Sequence, residues 1–391
     1  MESHFAPGVA EHKQTSRYIY IACPWTPKGG GMFKVADYLI QAQALSASPE
    51  SAELRPLDTR GGANAIYSFW VLAVALAKIV RGRLNGELAG VHVNMAERLS
   101  LFRKSAVVIA CHALGVPVVL HLHAAQLHHF YKTLPRPVQA TTRWIFSLPD
   151  SCVVLGTEAR RFVIDELRVA ANRVEIVTNG VPEPVEKRRK IVPNAIQRIL
   201  FLGNLSERKG ISDLLQALAL PGFDTSRLVV AVAGGGDVQT YQVKAQKLGI
   251  DHFVHFEGWS DQKKVACLMA QTDVLVLPSY DEGLPLVILE ALANGVAVVC
   301  SPVGEIPSVL TDGQNAYFVK AGDITGLASG LQKVLQNLDF MQTLERNGRA
   351  LYEQKFSLAR FFASVAQVHQ RHFGIAGQPL KTMDLSKDGL A

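Results

Sequence analysis

DVLVLPSYDEGLPLVILEALANGVAVVCSPVGEIP, residues 273–307, is the stretch whose reading decides the fold. Asp273–Leu277 is an apolar run of strand length, and Ala297–Cys300 is a second one. Between them a loop carries Asp281, Glu282 and Gly283, and Pro285 stands where the first turn of a helix begins. Short apolar strands separated by a loop and a helix are the pattern of parallel strands buried on both faces. Such a loop aims backbone N–H groups and the positive end of a helix dipole at one point, a natural site for a diphosphate.

The same alternation recurs on both sides. Upstream, strands are expected at Tyr18–Cys23, Gly90–Asn94, Pro117–His121, Ser151–Leu155 and Val174–Val177. Downstream they are expected at Arg198–Leu202, Leu228–Val232, His252–Phe256, Asp273–Leu277 and Ala297–Cys300. Both patterns lapse in VPEPVEKRRKIVPNAIQ, residues 181–197, which holds three prolines and a basic run. The reading is α/β, with residues 1–185 an amino-terminal domain, 186–355 a second domain, 356–373 a helix packing back on the first, and 374–391 a loose tail. Open α/β sheets bind ligands beyond the carboxyl ends of their strands, so the chemistry belongs in a cleft between the two.

Composition narrows the class. With 391 residues, 48% apolar and 19% charged, the chain can bury two cores and is not a disordered protein. Its five cysteines have no metal or redox spacing, and MESHFAPGVAEHKQTSRY has no apolar signal core, so a cytoplasmic location is expected. Residues 1–190 carry 23 Lys and Arg against 15 Asp and Glu, so the basic excess sits in the first half. The basic residues are dispersed among apolar segments, which argues against nucleic acid and for an anionic membrane surface or a pyrophosphate-bearing acceptor.

Glu282 and Glu290 are eight residues apart, one in the loop and one in the helix, a separation that suits two hydroxyl-bearing sugars of one ligand. Glu290 lies in the apolar run LPLVILEALANGV, where a carboxylate without a partner is costly. On these residues the chain resembles the retaining GT-B glycosyltransferases, in particular glycosyltransferase family 4 (glycosyl transferases group 1) of the bacterial polysaccharide-assembly type. The resemblance implies two Rossmann-like domains facing a central cleft, the first for acceptor and the second for a nucleotide sugar. It matches Glu282 to the glutamate near the donor sugar and Glu290 to the one that holds the ribose. Gly283, Leu284 and Pro285 match the loop presenting N–H groups to sugar and diphosphate.

Other elements extend it. In FLGNLSERKG, residues 201–210, Arg208 and Lys209 would counter the diphosphate, and Asn204 stands where many relatives carry arginine. VAGGGD and FEGW match strand ends of the family's donor domain, and the resemblance implies Gly235, Gly258 and Trp259 against the nucleotide. Gly29, Gly30 and Gly31 form a loop before a helix that the family sets against the diphosphate. In VVLHLHAAQLHHFY, residues 118–131, His123 matches the family's histidine near the donor sugar, with His121 a packed neighbour, and no metal site is expected there.

The implied function is metal-independent, retaining transfer of a hexose of mannose or glucose type from a GDP- or UDP-linked donor. The acceptor would be a saccharide or a polyprenyl-diphosphate-linked saccharide of exopolysaccharide or lipopolysaccharide assembly, and no cofactor is implied. No D-x-D occurs, so cations of the protein are expected to neutralise the diphosphate. Two alternatives share the fold: a nucleotide-sugar epimerase and a non-catalytic sugar-nucleotide-binding protein. Residues 65–80, AIYSFWVLAVALAKIV, read either as a buried helix or as a face dipping into the inner surface of the plasma membrane, with Lys78, Arg81, Arg83, Arg103 and Lys104 meeting head groups.

Overall fold

The computed structural model describes residues 17–26, 30–46, 52–62, 64–124, 126–189 and 195–375. Among the described residues the strands are β1 Tyr18–Cys23, β2 Glu53–Asp58, β3 Leu88–Met95, β4 Val118–Leu122, β5 Ser151–Val154, β6 Val174–Ile176, β7 Gln197–Leu202, β8 Leu228–Ala233, β9 Val254–Gly258, β10 Val274–Leu277, β11 Ala297–Cys300 and β12 Tyr317–Phe318. They form two six-stranded sheets, ordered β2-β1-β3-β4-β5-β6 and β12-β11-β10-β7-β8-β9. Every named pairing is parallel. Central strands such as β1, β3, β4 and β10 are buried along their whole length, as parallel strands covered by helices on both faces must be.

Two edge strands escape the sequence pattern. β2, ELRPLD, contains Pro56, which has no N–H to donate and is tolerated because β2 pairs on one side alone. β12 is two residues long. β9 begins two residues later than its apolar run suggests, because a turn through Asp251–Phe253 comes first.

After the second sheet the chain returns to the first. Val181 N–H donates to Phe356 O at 3.0 Å, and Leu358 N–H donates to Val181 O at 2.9 Å. The helix Leu358–Phe373 then packs on the helix Gly31–Ser46 and on β4, burying Phe361, Val365, Val368 and Phe373. Residues 190–194 of the connecting segment and the tail from 376 lie outside the described residues.

The helix Ala65–Leu84 is divided between the two readings of residues 65–80. Ala75 and Ile79 face the core, while Ile66, Phe69 and Trp70 are 81%, 75% and 66% exposed. Lys78, Arg81 and Arg83 are exposed, but Lys104 is not: it is fully buried, with Nζ donating to Thr59 Oγ1 at 2.7 Å. Lys104 sits on the core side of the helix Leu99–Ala113 and cannot reach a head group, which corrects that expectation; Arg103 is half-buried.

Candidate functional site

In each sheet the strand order reverses once, between β1 and β3 and between β7 and β10. A crevice opens beyond the carboxyl ends at such a point. The two crevices face each other and enclose a cavity of about 570 Å³. Gly30, Gly31, Ala96 and Glu97 come from the first reversal, and Asn204, Arg208, Lys209, Glu282 and Gly283 from the second.

On the second domain, a single 3₁₀ turn, Glu207–Lys209, follows β7 and presents Lys209 to the cavity. Gly210 ends it at φ 70°, and a Cβ there would stand 2.1 Å from Pro278 O, so glycine is required for the β7 and β10 loops to touch. Lys209 Nζ donates to Glu282 Oε1 at 2.5 Å, and Arg208 Nη1 donates to Asp281 O at 2.5 Å and lies 3.9 Å from Glu282 Oε2. Glu282 is buried, so its charge rests on these two cations.

The loop is fixed from behind as well. Glu305 N–H donates to Gly283 O at 3.1 Å, and Gly304, at φ 57°, brings its backbone so near Glu282 O that a Cβ would lie 1.7 Å away. Pro285 precedes the helix Leu286–Ala293, whose first residues, Leu286 and Val287, line the cavity beside Gly283, so the end that carries free N–H groups borders the cavity. Leu284 is buried, so only its backbone can serve a ligand. Gly235 and Trp259 line the same wall, and Trp259 is 55% exposed. Gly258 ends β9 at φ 66° and sets the turn into Trp259 without lining the cavity itself.

From the first domain, His123 follows β4 and lines the cavity, with Nε2 2.7 Å from Asn94 Oδ1. Burial, with His92 and Lys104 adding to it, pulls its pKa down to about 3, so the imidazole is neutral at ordinary pH. Gly29 falls outside the described residues. Glu290 finds its partner across the cleft: Lys34 Nζ donates to Glu290 Oε1 at 3.0 Å. Burial and the neighbouring Glu290, to which it is hydrogen-bonded, push the Tyr38 phenol up. The sequence reading missed Lys34, Tyr38 and the buried cavity residue Asn179; Lys34 had one local signal, its place four residues after Gly30.

A second cavity, of about 610 Å³, shares Glu282, Gly283 and Leu155 with the first. His128, His129, Glu158 and Arg161 wall it from the first domain, and Tyr280 and Glu305 from the second. Glu305 also crosses the cleft, accepting from Ala159 N–H at 2.6 Å and Glu158 N–H at 3.3 Å in the first turn of the helix Thr157–Asp165.

Residues 185–351 match the family model described as glycosyl transferases group 1. A glycogen synthase of Mycobacterium tuberculosis is 26% identical over 262 residues, covering 65% of this chain and 63% of its own length. A phosphatidyl-myo-inositol mannosyltransferase of Mycobacterium leprae is 36% identical over 193 residues, 47% of this chain and 50% of that protein. Among solved structures, HepE of Anabaena in complex with UDP-glucose superposes with TM-score 0.70 at 17% identity, covering 90% of this chain and 99% of that one. Sucrose-phosphate synthase of Thermosynechococcus elongatus gives TM-score 0.73 at 18% identity, covering 92% and 100%. The fold is GT-B, and the stretch that carries Lys209, Glu282 and Glu290 is the one similar to the glycosyl transferases group 1 family.

Proposed function

We propose that the protein is a nucleotide-sugar glycosyltransferase that works with retention and without a metal. It moves a hexose of mannose or glucose type from a UDP or GDP donor to a saccharide or lipid-linked saccharide of exopolysaccharide or lipopolysaccharide assembly. The observation that carries the reading is the meeting of both strand-order reversals around one cavity that holds Lys209, Arg208, Glu282, Glu290 and a helix N-terminus. The UDP-glucose complex of HepE and the mannosyltransferase of M. leprae support the donor class.

In this reading the helix Leu286–Ala293 and the cations Arg208 and Lys209 receive the diphosphate, Glu290 takes the ribose, and Trp259 borders the base. His123 and Glu282 meet the donor sugar. The second cavity takes the acceptor, whose hydroxyl approaches on the face the diphosphate leaves. The departing phosphate oxygen accepts the hydroxyl proton, so the protein supplies position and charge rather than a covalent intermediate. The exposed Phe69 and Trp70, flanked by Lys78, Arg81 and Arg83, suit an acceptor held at an anionic membrane surface.

Incubation with a panel of UDP and GDP sugars tests this: nucleoside diphosphate should appear only when an acceptor is present. An isomerised nucleotide sugar formed with no acceptor and no net release of nucleotide would point to the epimerase reading. That reading is favoured by one observation, the carboxylate of Glu97 at the first domain's side of the cavity.

A further inference from the structure

The helix Thr157–Asp165 of the first domain begins without a cap of its own. Its N-cap residue is Gly156, which has no side chain to accept from the free N–H groups of the first turn. The acceptor comes from the other domain. Glu305 Oε1 accepts from Ala159 N–H at 2.6 Å and Oε2 from Glu158 N–H at 3.3 Å, the second and third N–H groups of the helix, which an N-cap side chain ordinarily serves. The carboxylate therefore meets the positive end of the helix dipole, and Ser308 Oγ donates to it at 3.2 Å from its own side. Glu305 is 3% exposed.

Gly156 is what admits it. A Cβ at Gly156 would stand 2.1 Å from Glu305 Oε2 and 2.5 Å from its carboxyl carbon. The backbone there is extended, at φ −173°, so the requirement is for space and not for an unusual conformation. The position that lacks a local cap thus leaves room for a remote one.

The same residue holds the loop on its own domain. Glu305 N–H donates to Gly283 O at 3.1 Å, one residue after Glu282. Glu305 therefore ties the Glu282 loop to the helix whose Glu158, Ala159 and Phe162 wall the second cavity. A second side-chain bridge, Lys34 to Glu290, opens in the proposed reading when the ribose takes Glu290. The Glu305 carboxylate bonds no group that this reading gives to the donor, so its bridge persists. The chain itself crosses between the domains at Val181 and at Phe356–Leu358, two segments on which one domain can turn against the other.

We propose that Glu305 is a positioning residue that latches the two domains: by capping the helix Thr157–Asp165 across the cleft, it holds the wall of the second cavity against the Glu282 loop while donor is bound. The inference rests on the reading of the cleft as the place where donor and acceptor meet.

The test combines amide hydrogen exchange with small-angle X-ray scattering on the full chain, with UDP and GDP as probes. The first-turn N–H groups have no partner within their helix, so protection at Glu158 and Ala159 reports the carboxylate. Glu305→Ala should speed exchange at both by at least about tenfold, and the radius of gyration should rise. Gly156→Ser separates latch from cap: the serine caps its own helix while its Cβ displaces the Glu305 carboxylate. Exchange at Glu158 and Ala159 should then stay slow, and the radius of gyration should still rise. The double variant should match Gly156→Ser in both readouts, because the two changes break one contact. Affinity for UDP or GDP should stay within about twofold in all three. If Glu305→Ala does not fold, Gly156→Ser carries the test. Unchanged exchange in folded Glu305→Ala, or a radius of gyration in Gly156→Ser equal to that of the unaltered protein, would overturn the latch. Failure of the unaltered protein to bind either UDP or GDP would overturn the donor-site reading instead, and scattering would still decide the latch.

Discussion

Lys34 Nζ and Glu290 Oε1 lie 3.0 Å apart, joining the first helix of one domain to the loop-borne helix of the other. In the proposed reading Glu290 would exchange this cation for a ribose when donor binds, a contact that would persist from ground state to transition state. Glu290→Gln should raise donor KM about tenfold, about 1.4 kcal/mol, and leave kcat within about threefold. A drop in kcat with KM unchanged would move Glu290 from binding to chemistry.

Lys209 donates to the buried Glu282 and, in the proposed reading, would also meet the incoming diphosphate. Lys209→Ala should cost about 2–4 kcal/mol of transition-state stabilisation in kcat/KM. It also strands the Glu282 carboxylate, so Tm should fall too. The double variant Lys209→Met with Glu282→Gln separates the effects: Tm should recover and activity should not. Full activity in either form removes Lys209 from the mechanism.

The legibility of this site follows its locality. Glu282 to Glu290 is a single strand, loop and helix, and the apolar run around Glu290 announced that it needed a partner. Which partner was invisible, because Lys34 is 256 residues away and becomes a neighbour only when the sheets face each other. The histidines show the same boundary. His121 on β4 and His123 just after it are two apart in sequence, whereas His92 and His369 are contributed by another strand and by the last helix. β2 stayed hidden because ELRPLD breaks its apolar pattern with proline, a residue that only its place at the sheet edge allows.

These four histidines also set an acid limit. His92 and His123 are held at about 3 by burial, and His121 and His369 are lowered for the same reason. Their ordinary value is 6.5, so above that pH folded and unfolded chains bind equally few protons at these sites and stability is full. Below 6.5 the unfolded chain gains protons that the fold refuses, at about 1.4 kcal/mol per pH unit for each ring. Urea unfolding followed from pH 7.5 to 5.5 should show a steep loss beginning near 6.5, shallower in His92→Gln. A flat profile would mean that these rings charge inside the fold.

Activity should survive EDTA. Arg208 and Lys209 stand beside the cavity's helix N-terminus, and no D-x-D is present to clamp a metal on the diphosphate. Turnover that stops on chelation and returns with Mg²⁺ or Mn²⁺ would assign the leaving-group charge to a metal instead.

The last prediction concerns the exposed helix. No helix among the described residues is long and apolar enough to cross a membrane, yet Ile66, Phe69, Trp70 and Leu84 all project from Ala65–Leu84 into solvent. Leu99 and Phe102 are exposed on the neighbouring helix Leu99–Ala113. Lys78, Arg81, Arg83 and Arg98 are exposed on or beside the same two helices, the composition of a helix that lies in an anionic interface. Each such cation near the surface contributes about 1 kcal/mol, a term that salt screens, while the aromatic rings contribute a term that it does not. The protein should therefore sediment with anionic vesicles at low salt and lose most of that binding as salt rises. Phe69→Ser with Trp70→Ser should abolish it without lowering activity on a soluble acceptor. Lys104→Gln should leave vesicle binding unchanged if the variant folds, since that ammonium is buried against Thr59. Equal sedimentation with neutral and anionic vesicles, or none with either, would assign the apolar face to another partner.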